Sequence, residues 1–186
     1  MKRFLAISLI TLAVSVAVRS QDHTRPPTIP APTPLAIPDG WVSFNSPTGR
    51  FSVLMPEIPT DKAETVQSEH GPYTTHLFVV RGAKSLFLIG WVDYDPSFNF
   101  NPTRELDLNR ENFIKGVSAT LMNSKNVTVD GYQAIEFMAE KPDTIFKSRV
   151  YMVGRRPYQL VTGTPKGIDD SVNVNRFFNS FKVRMN

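Results

Sequence analysis

The chain has 186 residues, no cysteine, 21 Lys+Arg against 17 Asp+Glu, and a formal net charge of +4. Lys2, Arg3 and Arg19 fall within an N-terminal export signal, so its removal leaves 18 basic against 17 acidic residues. That near-neutral balance excludes the electrostatic footprint of a nucleic-acid binder, and the lack of thiols excludes disulfides, thiolate metal sites, thiol nucleophiles and a lipidated cysteine anchor.

Met1–Ser20 reads as a secretory signal peptide. Lys2 and Arg3 form the basic n-region, Phe4–Val18 the apolar core and Val18-Arg19-Ser20 the cleavage site. The apolar run is too short for a bilayer span, so no stable membrane span is expected after cleavage, and the product is expected to be secreted or periplasmic. Residues 21–38 carry six prolines among Thr and Ala, a composition that forms neither helix nor sheet and predicts an extended spacer. Residues 39–186 then supply 148 positions, enough for one domain held by its own core.

Within that domain Trp41–Phe44 and Phe51–Met55 flank Ser46-Pro47-Thr48-Gly49-Arg50, the pattern of a hairpin. Lys62–His70 and Tyr73–Arg81 predict a second hairpin around Gly71-Pro72. In Leu86–Tyr94, Phe87, Ile89 and Trp91 form one apolar face and Leu86, Leu88 and Val92 the other, so this strand is expected near a sheet centre with cover on both sides. Pro102 to about Met122 predicts a helix with Leu106, Phe113, Ile114, Val117 and Leu121 as its stripe and Asn101 or Thr103 as its cap.

Lys125–Val129 and Tyr132–Glu140 pair around Asp130-Gly131, and Thr144–Val153 and Tyr158–Gly163 around Arg155-Arg156. A last helix begins at Asp169 or Asp170 with Val174, Phe177, Phe178 and Phe181 on one side, and Lys182-Val183-Arg184 closes as a short strand. The order predicts an α+β domain, an antiparallel β-sheet covered by helices.

Trp41–Phe44, Ser46–Val53, the Met55-Pro56 stop, Gly154–Leu160 and Phe177–Lys182 together resemble uncharacterised secreted bacterial domains of the PsbP-like α/β/α sandwich type, over about residues 41 to 184. The resemblance implies that sandwich fold. It also favours a non-enzyme, because the extrinsic photosystem II subunit and the nuclear import factor of that broad fold act as binding or assembly proteins. No binding residue of either is carried over.

Chemistry-bearing residues collect in two places. In Asp93–Asn101, oxygen-bearing side chains occupy every odd position, and an extended chain sets Asp93, Asp95, Ser97, Asn99 and Asn101 along one side, where oxygen ligands suit a hard cation or a polar ligand. Phe98 at the sixth position and Arg104 at the twelfth depart from the calcium-loop pattern. Lys147 and Arg149 share a strand face, and Arg155 and Arg156 are expected at a turn; with Lys166, Arg176 and Lys182 they form a candidate anion-attracting patch. Residues 141–186 hold 9 Lys+Arg against 3 Asp+Glu, and residues 39–140 hold 8 against 13, so the domain is electrically lopsided if the two segments do not interleave.

A two-residue Gly71-Pro72 turn sets His70 opposite Tyr73 and His76 opposite Gln67, with the two imidazoles on opposite faces; a longer turn restores one face. No catalytic residue, metal site or cofactor is assigned. The expected function is a non-catalytic binding or assembly module for a protein or envelope component. A ligand- or cation-binding domain centred on Asp93–Asn101 is the alternative, and a hydrolase without a recognisable motif the third reading.

Overall fold

The computed structural model describes residues 40–68, 71–98 and 100–184. The export signal, the Pro-rich segment, Asp39, His70 and Asn99 lie outside the described residues. Among those described, the strands are β1 (Val42–Ser46), β2 (Phe51–Met55), β3 (Thr60–Val66), β4 (Tyr73–Arg81), β5 (Leu86–Tyr94), β6 (Thr120–Val129), β7 (Tyr132–Glu140), β8 (Thr144–Val153), β9 (Arg156–Pro165) and β10 (Lys182–Val183). The helices are α1 (Pro102–Val117), between β5 and β6, and α2 (Ser171–Ser180), between β9 and β10. All strand pairs are antiparallel, as an α+β domain requires.

The strands form two sheets rather than one. The larger has the order β3-β4-β5-β9-β8-β7-β6, and β1-β2-β10 make a separate three-stranded sheet. This small sheet exists because Phe51, Val53 and Met55 of β2 are apolar at alternate positions and pack face-on against the large sheet instead of extending its edge. With α2 they bury Phe87, Ile89 and Trp91 of β5, Tyr158 and Leu160 of β9 and Tyr151 of β8. Phe51 sits among Phe44, Phe78, Trp91, Tyr158 and Phe181, with ring centroids 5.6 to 6.5 Å apart.

Tyr151 belongs to this core while its neighbours Val150 and Met152 pack with Leu106, Phe113 and Ile114 of α1, so α1 covers the opposite face. β5 is one strand from the sheet centre, which β9 occupies. Its Phe87–Ile89–Trp91 face is sealed, but Leu86, Leu88 and Val92 are only half-buried, so cover on the second side is incomplete.

Several boundaries differ from those the sequence predicts. α1 stops at Val117 because Gly116 is a poor helix residue and Ser118 takes a left-handed conformation (φ 52°), its N–H bonding to Lys115 O. Leu121 and Met122 therefore lie on β6, both exposed, not on the helix stripe. Asn101 is the cap of α1, its Oδ1 accepting from the Arg104 N–H at 3.1 Å. In the second hairpin Val66, not His70, is opposite Tyr73, so the connection is longer than two residues. His76 is accordingly opposite Ala63 rather than Gln67.

Arg156 is the first residue of β9, and the turn consists of Gly154 (φ 60°) and Arg155. Asp130-Gly131, with φ of 51° and 83°, is the tight turn its sequence predicts. No helix among the described residues is long and apolar enough to cross a membrane.

The acidic and basic segments do interleave. Arg149 pairs with Glu136, Arg156 with Asp93, Lys166 with Glu140 and Lys182 with Asp130, so these four ion pairs join the basic C-terminal third to the acidic remainder.

Candidate functional site

Register brings one set of alternating side chains to a shared floor. Tyr73, Thr75 and Leu77 of β4 stand opposite Tyr94, Val92 and Gly90 of β5, and Gly90 is opposite Gln159 of β9. α1 has 16 residues, about 24 Å, and packs against β7 and β8, so it stands beside this floor without lying over it. Leu108, Asn109 and Asn112 form the helix wall of a cleft of about 420 Å³, with Leu88, Val92 and Pro157 also lining it. Gly90 deepens it: a Cβ there would lie 2.8 Å from the His76 carbonyl oxygen, so no other residue fits without displacing β4.

The cleft holds one carboxylate that is almost fully withdrawn from water. Glu105, in the first turn of α1, is 8% exposed. The Tyr94 hydroxyl donates to its Oε1, and Asn109 Nδ2 donates to Oε1 and to the Glu105 backbone oxygen, each at 2.9 Å. Burial, and then the hydrogen bond and charge of Glu105, push the Tyr94 hydroxyl far above the usual phenol range, so it remains a donor. The helix N-terminus adds a favourable field for the negative charge. Tyr94 packs 4.4 Å from Phe98 and 6.1 Å from Tyr73, centroid to centroid, so the carboxylate adjoins a group of three rings.

The residues selected from sequence lie elsewhere. Asp93 is on the sealed face, where its carboxylate receives Arg156 at 2.5 Å and Trp91 Nε1 at 3.1 Å and lies 3.4 Å from His76 Nε2. Arg156 also donates to Thr48 O, and the Tyr158 hydroxyl to Gly49 O, which ties the β1–β2 turn to the large sheet. Asp95 accepts from the N–H and hydroxyl of Ser97, bonds that hold its carboxyl below the usual range. Asn101 is the helix cap, and Asn99 lies outside the described residues.

Arg155 joins the same end of the molecule by donating to Asp95 O and Phe98 O and lying 5.0 Å from the Phe100 ring centre. Lys147 and Arg149 are apart from it, beside Phe178 of α2, with Arg149 held by Glu136 and the Tyr151 hydroxyl. Arg176 lies over Trp41 and donates to Asn173 Oδ1. The Asp93–Asn101 stretch does reach the cleft, but through Tyr94 and Phe98, its even positions.

Thr75, Glu105, Asn109, Asn112 and Gln159 were not singled out from sequence. A signal for them exists: Leu88 and Val92 require a cover, while Glu105, Asn109 and Asn112 recur at helical spacing on a helix whose apolar stripe is elsewhere. Among the described residues no group of three or more His, Asp or Glu is placed to hold a metal ion. What the cleft offers is apolar floor, aromatic faces and a few fixed donors and acceptors, the composition of a binding site.

No family model and no curated protein matches the chain. Among solved structures it is similar to the solution structure of cyanobacterial PsbP (CyanoP) from Synechocystis sp. PCC 6803. The two are 11% identical, over 77% of this chain and 92% of that one, with a TM-score of 0.44.

Proposed function

We propose that the protein is an exported, non-catalytic binding or assembly module, secreted or periplasmic, whose single domain follows a Pro-rich spacer and recognises its partner with the cleft between α1 and strands β4, β5 and β9. The n-region, apolar core and cleavage pattern of Met1–Ser20 support export. The motifs at Ser46–Val53 and Phe177–Lys182 support placing the domain with the PsbP-like sandwiches.

One observation carries the recognition reading. A sheet otherwise sealed on its β1–β2–α2 side leaves apolar Leu77, Leu88 and Val92 half-buried on the other, beside a buried carboxylate and three rings. An apolar floor left partly open next to a few fixed polar groups is the arrangement of a ligand-binding cleft.

The test is retention. The immobilised protein is expected to hold a component of its native envelope that Thr75→Trp and Asn112→Trp forms, which fill the cleft from its floor and from its helix wall, release. Equal retention by all three overturns the cleft as the recognition site.

A further inference from the structure

We infer that the cleft takes a small organic ammonium ion with an apolar body, an inference that rests on the cleft being the recognition site. Glu105 and Asp170 are the buried carboxylates among the described residues, and of the two only Glu105 lines the cleft. Glu136 faces Arg149 and Lys125, and Asp93 faces Arg156, whereas the cleft lining includes neither lysine nor arginine. His76 reaches the lining, but its Nε2 is directed at Asp93.

Both protein donors to Glu105 use Oε1. Oε2 has no protein donor among the described residues, and it is not among the polar atoms sealed from solvent. A carboxylate drawn out of water with no cation beside it is costly, and two neutral donors and the field of one helix turn offset only part of that cost.

The missing partner is therefore a positively charged donor. An ammonium group at Oε2 supplies it, and the half-buried rings of Tyr73, Tyr94 and Phe98 present π-faces that favour the same charge. Leu88 and Val92 on the floor take the carbon body. An anion meets Glu105 with like charge. A neutral molecule of the same shape fills the floor but leaves Oε2 without a charged donor.

Calorimetric titration of the full chain with phenethylamine as its hydrochloride, phenethyl alcohol and phenylacetate reads this directly. The amine is expected to bind at least about tenfold more tightly than the alcohol, with phenylacetate weakest. Glu105→Gln, which retains an acceptor for Tyr94, is expected to bring the amine and alcohol to about equal affinity. Thr75→Trp is expected to abolish binding of both. If Glu105→Gln does not fold, the amine-to-alcohol ratio on the unaltered chain decides alone.

Equal binding of amine and alcohol, both lost in Thr75→Trp, overturns the ammonium assignment and leaves the cleft as a binding site. Binding that Thr75→Trp leaves unchanged overturns both. No binding of the amine overturns the assignment, and the retention experiment then judges the cleft separately.

Discussion

The two faces of the seven-stranded sheet are closed by different means. On one, β1, β2, β10 and α2 lay Phe51, Met55 and Phe177 against β5, β9 and β8 with no exposure at any of the three. On the other, a single helix seals only Leu106 against Ile135, Phe137, Val150 and Met152, and β4, β5 and β9 keep a half-open floor. Burial concentrated on one side supplies the stability that permits the second side to leave apolar surface open.

The sharpest way to break that contrast is to truncate matching positions on the two faces. Phe177→Ala is expected to cost about 3–5 kcal/mol in denaturant unfolding, the range for removing a fully buried ring. Leu88→Ala, on the cleft floor, should cost about 1 kcal/mol, since much of that side chain already meets water. Similar losses at both positions would show the two faces to be equally closed.

A smaller effect is expected at the closing network of the sealed face. Arg156→Gln removes the guanidinium from Asp93 and from the β1–β2 turn, and a loss of about 1.5–3 kcal/mol follows for hydrogen bonds to charged groups. An unchanged unfolding midpoint would mean that the small sheet is held by its rings alone.

Acid separates the faces in another way. Burial pushes the Glu136 carboxyl up, but Arg149 and Lys125 outweigh it and hold the group below the ordinary value near 4.5. Its stabilisation is complete above that ordinary value and is lost as the pH falls through the lower folded-state value. Stability should therefore decline below about pH 4.5, and Glu136→Gln should flatten that part of the curve. A variant with the parental acid profile would remove this pair from the account. The smallest effect is expected from deleting residues 21–38, which should leave Tm unchanged because six prolines among Thr and Ala form neither helix nor sheet and offer little apolar area to bury; a large fall would show that it packs on the domain.

Sequence made one face legible and left the other obscure. Alternation in Phe51–Met55 and Phe87–Trp91, the Asp130-Gly131 turn and the Val174–Phe181 stripe are local patterns, and each specifies a buried surface. The helix end is less readable because Val117 and Leu121 continue a helical spacing by coincidence across the Ser118 stop. Polar residues were the harder case. Asp93, Arg149 and Arg156 carry charge at suggestive spacing, yet each meets an opposite charge across a neighbouring strand, a pairing only the register reveals. Glu105 sits in an ordinary charged run between Arg104 and Asp107, and its isolation from water depends on how Tyr94 and Asn109 close around it.

Gly90 has a bearing on how such a recess can be altered. The bottom of the hollow rests on a spot where two backbones approach so closely that even a methyl group intrudes on the neighbouring carbonyl. Selectivity can thus be adjusted from the helical wall or the aromatic end, by exchanges at Asn112 or Tyr73, while depth remains fixed by strand spacing. Diversification aimed at new guests should spare that floor and spend its variety around the entrance.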